Sequence, residues 1–153
     1  MTIRKPLVIA SGQIQQLQSG DTLQEVEQLQ SITDAIFIAG QVVYSSAAGH
    51  VDKAKADAAT TAKAIGLSAA AASSGATTGI QCSGILTLTT GEWDACMGTT
   101  GGLTYNTVYF LSGATAGLGT STAPSTVSHR VVKLGTAIST TEMVIDIEPS
   151  VLL

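Results

Sequence analysis

Charge and aromatic carbon are both scarce in this sequence. Asp, Glu, Lys and Arg make up 12% of its 153 residues, and Phe, Trp and Tyr only 4%. A chain so poor in rings cannot build a thick aromatic core. The seven Lys and Arg residues are scattered, only Arg4-Lys5 and the Lys53/Lys55/Lys63 group lying near one another, and the net charge is −4. That leaves no electrostatic footprint for nucleic acid or an anionic membrane. No stretch approaches the roughly 20 apolar residues of a membrane-spanning helix. The apolar opening Pro6-Leu7-Val8-Ile9-Ala10 gives way to Ser11-Gly12-Gln13. It is shorter than the roughly 7–15 apolar residues at the heart of a secretory signal, so synthesis in the cytoplasm is expected. Cys82 and Cys96 are the only cysteines. In a reducing compartment they are expected to be free thiols, buried as small apolar groups.

What the chain has instead is small residues: Ala, Gly, Ser and Thr account for 73 of the 153. Such a composition suits thin sheets, tight turns and close approach of one chain to another. A hydrophobic fraction of 44% is enough for collapse and argues against disorder. Few charges and abundant Thr point to a surface partly covered by other subunits.

The composition changes near residue 34. Residues 11–31 are rich in Gln, and Thr22-Leu23-Gln24-Glu25 fits the S/T-x-x-E capping box, which predicts a short helix over 22–31. Ile14, Leu17, Leu23, Val26, Leu29 and Ile32 recur in steps of three, with Gly20 in the gap. That stripe drifts around a 3.6-residue helix and is no heptad, so residues 1–34 read as an arm that folds against something else. From residue 35 to 153 the signals are β. Ala35–Ile38 and Gln41–Tyr44 flank Ala39-Gly40 as a hairpin or a bulged strand. Residues 51–64 suggest a short helix or irregular crossover. Strands are expected at 65–67 with 69–72, at 79–88, at 108–111, at 129–134 and at 143–148, where Met143, Ile145 and Ile147 alternate with Val144, Asp146 and Glu148. Trp93 falls in a loop or helical turn. Short strands at regular spacing with Gly-rich turns predict a mainly β fold, a small antiparallel β-sandwich or barrel-like domain.

The motifs of common chemistries are missing from the sequence. It contains no P-loop, and Gly117-x-Gly119 lacks the third glycine of a dinucleotide site. Cys82, Cys96, His50 and His129 show no metal-ligand spacing, so neither a metal nor a cofactor is expected. His50 or His129 could serve a Ser-His-Asp site only without the Gly-x-Ser-x-Gly elbow. Asp146 and Glu148 share a strand face as an acid–base pair would, but a solvated face explains them more simply. An enzyme is not expected. Trp93, Tyr105 and Tyr109 are the rings that could stack on a sugar, although a lone Trp more often anchors a core or an interface.

Several segments are familiar in combination. Ile3–Val8, Gly12–Leu17 and Gly20–Leu23 resemble the leader of phage tail-fibre, head-fibre and other virion structural proteins. Ala64–Leu67, Gly84–Leu86, Val108–Ser112 and Thr115–Gly117 resemble the β-domain of phage head-decoration (cement) and head-fibre proteins. The closing Val131–Ala137, Glu142–Ile147 and Pro149–Leu153 are the most distinctive pieces of that resemblance. It implies a homotrimer on the capsid exterior of the virion, bound to the major capsid protein and clamping the shell. A chain stopping at Leu153 favours the cement form over a fibre, which carries a further receptor-binding region. In this reading Arg4 and Lys5 would meet an acidic capsid surface, and Leu7, Ile9, Ile14 and Leu17 would supply apolar contact with the capsid or a neighbouring subunit. The alternative is a short fibre protein binding a host-surface glycan through Trp93, Tyr105 and Tyr109.

Overall fold

The computed structural model describes residues 28–153 in full and the backbone of residues 7–10 and 13–16. Strands β1 (Leu7–Ala10) and β2 (Gln13–Gln16) pair antiparallel, with Leu7 opposite Gln16 and Ile9 opposite Ile14. The body is mainly β, as its strand-rich, turn-punctuated sequence predicts.

Five strands close into a small barrel: β3 (Gln28–Thr33), β4 (Val42–Ala47), β5 (His50–Lys53), β6 (Ala64–Ser68) and β7 (Thr77–Gln81). Around the barrel they run β3-β5-β4-β6-β7 and back to β3. Every pairing is antiparallel except β3 with β5, a parallel seam of two residue pairs, Ile32–His50 and Thr33–Val51. β3 is held mainly by β7, through five pairs from Gln28–Gln81 to Ile32–Thr77.

The second half holds β8 (Gly84–Thr87), helix α1 (Thr90–Met97), β9 (Val108–Leu111), β10 (Gly119–Thr120), β11 (Arg130–Val131), β12 (Lys133–Ala137), β13 (Glu142–Ile145) and β14 (Val151–Leu152). An antiparallel sheet runs β10-β9-β12-β13-β8, and β11 with β14 forms a separate two-stranded ribbon. The helix begins on a complete capping box. Thr89 Oγ1 accepts from the Glu92 amide, and the Glu92 carboxylate accepts from the Thr89 amide at 2.8 Å. It ends on Gly98 in the left-handed conformation. Trp93, Cys96 and Met97, spaced i, i+3 and i+4, are its buried face.

Alternation along β4 ties the halves together. Val42 and Val43 are both buried but point to opposite faces. Val43 joins Phe37, Val51 and Ile80 in the barrel interior. Val42 joins Leu67, Ala54, Ala56 and Ala62 in a larger core with Trp93, Tyr109, Leu111, Leu134 and Met143. The small side chains on the barrel's outer wall let it approach the sheet and helix closely. Gly40 sits at one close approach: its φ is +81°, and a Cβ there would meet Cys96 Sγ at 2.5 Å.

The structure corrects several expectations. Of the helix predicted over 22–31, residues 28–31 belong to β3, because pairing with β7 outweighs local helix propensity. Residues 22–27 lie outside the described residues. The helix that is described lies at 90–97 instead. The barrel begins at Gln28, before the compositional change near 34. Ala35–Ile38 is not a strand, and only Phe37 bridges to Ala72. Residues 50–53 are β5, and 54–63 form the irregular crossover of the two alternatives, not a helix. The single strands expected at 79–88 and 129–134 are each two, broken at Cys82-Ser83 and Val132, where the chain crosses between sheets.

Candidate functional site

The aromatic residues are the first test of a sugar platform. Trp93 and Tyr109 are both 0% exposed. The Trp93 Nε1–H donates to the Thr141 carbonyl at 2.9 Å, and the Tyr109 hydroxyl accepts from the Thr104 amide at 3.0 Å. With both polar handles satisfied inside the core, neither ring is available to stack on a ligand. Tyr105 is 73% exposed and stands apart from them in accessibility. The glycan contact expected of Trp93, Tyr105 and Tyr109 together is therefore not assembled: two of the three are core residues.

Of the residues expected to touch a capsid or a neighbouring subunit, Leu7 and Ile9 lie on β1 and Ile14 on β2. The register Leu7–Gln16 and Ile9–Ile14 places these three positions on one face of the paired strands. Arg4, Lys5 and Leu17 lie outside the described residues.

His50 belongs to a polar joint at the barrel seam. Its Nδ1 lies 2.8 Å from Asp34 Oδ1, and the Ser46 hydroxyl donates to Asp34 Oδ2. The Asp34 amide donates to the Val51 carbonyl at 2.9 Å, and Ser74 Oγ donates to the Asp34 carbonyl at 3.0 Å. The hydrogen bond from Ser46, then that from His50, holds the Asp34 carboxyl below the usual carboxylate range. Ser46 therefore faces the carboxylate rather than the imidazole, and this cluster lacks the nucleophile-to-base hydrogen bond of a Ser-His-Asp site. It fastens β3 to β5 and to the turn at 73–75.

Asp146 and Glu148 do share a face, and both reach one cation: Lys133 Nζ lies 2.7 Å from each. Asp146 foremost, and Glu148, raise the Lys133 pKa, which keeps the amine charged. Both carboxylates are exposed, so the trio is a surface ion network. The Cys96 thiol is buried and pushed up to about 12 by desolvation, and the half-buried Cys82 thiol is also pushed up by burial. Both are free, neutral thiols. Among the described residues, no three of His, Cys, Asp and Glu gather as metal ligands.

The feature sequence reasoning missed is an apolar corner at the C-terminal ribbon. β11 and β14 pair Arg130 with Leu152 and Val131 with Val151. The Leu153 amide donates to the His129 carbonyl at 3.0 Å, and the Ser128 amide to Leu153 O at 3.3 Å, which brings Val127 alongside. Val127 is 80% exposed, Val151 62%, Leu152 58% and Leu153 45%. Four large aliphatic side chains thus stand in water on and beside a two-stranded ribbon, with Val151 and Leu152 on its opposite faces, and Leu29, Ile36 and Ile85 are comparably exposed elsewhere. The run Val151-Leu152-Leu153 was the available signal, since no polar residue breaks it. No family model, characterised protein or solved structure matches the chain.

Proposed function

We propose that this chain is a structural subunit that coats a protein lattice, as a homotrimer on the capsid exterior of a tailed phage, with the major capsid protein as its partner. The observation that carries the reading is the apolar corner of Val127, Val151, Leu152 and Leu153. Aliphatic side chains left in water favour contact with a partner, because leaving them exposed forgoes about 25 cal/mol for each Å² that the partner would cover. The charge-poor surface fits repeated contact with neighbouring subunits. Leu7, Ile9 and Ile14, at positions on one face of the paired N-terminal strands, are of the chemistry a second apolar contact needs. Many copies on a shell then sum modest contacts into high avidity.

Sedimentation equilibrium of the purified chain, followed by cosedimentation with expanded, undecorated phage capsids, tests the proposal. The expected result is a species of three 15.5 kDa chains that saturates the capsids in multiples of three. A chain that stays monomeric and remains in the supernatant overturns it. Removal of residues 1–27 leaves β3 intact and measures the contribution of the N-terminal strands.

A further inference from the structure

Between Leu111 and Arg130 the only regular structure is the two-residue β10, so this is the longest stretch with so little regular structure in the body. Loops of that length inside a compact domain usually serve a function. Residues of this loop line a shallow, open cleft of about 310 Å³, at the lower end of ligand-site volumes. Three further observations bear on it.

The first is the fixed position of His129. Its carbonyl and that of Thr126 each accept a backbone hydrogen bond, from Leu153 at 3.0 Å and from His129 itself at 3.0 Å. Its ring lies against Gly113, where a Cβ would come within 2.8 Å of the ring's Cε1. The ring has no hydrogen-bond partner among the described residues. The second is Ser128, immediately before it, at φ +74°. A side-chain-bearing residue in the left-handed region is uncommon, and such strain concentrates at functional sites. The third is a pair of hydroxyls whose acceptor capacity is used internally. Ser112 Oγ accepts from the Ala114 and Thr115 amides at 3.1 and 3.2 Å, and Thr120 Oγ1 accepts from the Thr122 amide at 3.2 Å. Neither hydroxyl proton has an acceptor among the described residues, so both are left to donate.

The lining fixes the ligand's chemistry. Five of its ten lining residues carry hydroxyls, His129 contributes the one aromatic ring, and no Asp, Glu, Lys or Arg is among them. We propose that this cleft binds one neutral sugar residue, free or as a unit of a polysaccharide, with Ser112 and Thr120 donating to its oxygens and His129 against the ring. The proposal is independent of the capsid reading and relocates any sugar contact away from Trp93 and Tyr109.

The test is a titration of the full chain with free hexoses, N-acetylhexosamines and short oligosaccharides, read by the His129 ring resonances and by saturation transfer to the sugar. At about 10 mM, well above a roughly millimolar dissociation constant, at least one neutral sugar shifts those resonances. Thr120→Val, which keeps the volume and removes the hydroxyl, weakens binding up to about tenfold, the scale of one hydrogen bond. Gly113→Ala displaces the ring and abolishes the shift, while the remaining amide spectrum reports an intact fold. Tighter binding of an oligosaccharide than of its free unit identifies the polymer as the source. No shift with any sugar, a shift unaffected by Thr120→Val, or a stronger response to inorganic phosphate overturns the proposal.

Discussion

The barrel interior and the core it shares with the sheet are built from different materials. Inside the barrel, four buried apolar residues, Phe37, Val43, Val51 and Ile80, are accompanied by Ser31 and Thr33, whose side chains are also buried. Between barrel and sheet, nineteen buried residues, Trp93 and Tyr109 among them, form one cluster. Since stabilisation scales with apolar area removed from water, the barrel cannot stand on its interior alone. Its outer wall, through Val42, Leu67 and the alanines of 54–62, leans on the larger core. A small-residue chain can afford a closed barrel because a few large side chains elsewhere carry both halves.

The sharpest way to break this comparison is Trp93→Ala. It removes the largest buried side chain and one of the two hydrogen bonds at the Thr141 carbonyl, which keeps that from the Leu88 amide, at a cost of about 3–5 kcal/mol. Chemical denaturation should show one transition, with the barrel and the sheet lost together. Ile80→Ala is the converse, at about 2–4 kcal/mol. Hydrogen exchange should speed up across β3 and β7 while β9, β12 and β13 stay protected. Equal acceleration in both regions would mean that the barrel is no separable unit. Thr89→Ala removes the helix cap and should cost about 1 kcal/mol, seen as a lowered midpoint in the same denaturation.

The smallest effect belongs to the barrel seam. Asp34 has its pKa lowered from the ordinary 3.8 by Ser46 and then His50. A carboxylate depressed in the folded state contributes stability that is fully present above its unfolded pKa and is lost as pH falls through the folded value. Exchange at β3 and β5 should therefore rise below about pH 4 in the wild-type chain. Asp34→Asn should show the raised exchange already at neutral pH and little further change on acidification.

Legibility in the sequence followed the range of the forces involved. Period-two alternation over Met143–Ile147 gave the right inward face, because burial on one side of a sheet is a local pattern. The capping box at Thr89–Glu92 opens a helix, and the buried i, i+3, i+4 set of Trp93, Cys96 and Met97 fastens that helix to the core. The breaks at Cys82-Ser83 and Val132 were hidden, since a chain crossing between sheets keeps its β propensity throughout. The joint of Asp34, Ser46 and His50 was also hidden: it depends on the parallel β3–β5 seam, which no local signal encodes. The apolar corner was half visible, in Val151-Leu152-Leu153. Its neighbour Val127 comes from a loop over twenty residues earlier, brought there by hydrogen bonds at Ser128 and His129.

The most direct measurement is the number of copies retained on undecorated capsids by the wild-type chain and by Leu152→Asp, compared side by side. Leu152 is 58% exposed, so the substitution leaves the core untouched, and an unchanged circular dichroism spectrum verifies the fold. The account predicts saturable binding of the wild type in multiples of three and a loss of at least tenfold in affinity for the variant, about 1.4 kcal/mol or more. A variant that binds as tightly as the wild type would contradict the assignment of the ribbon as the docking surface, and no binding by either chain would contradict the capsid reading itself.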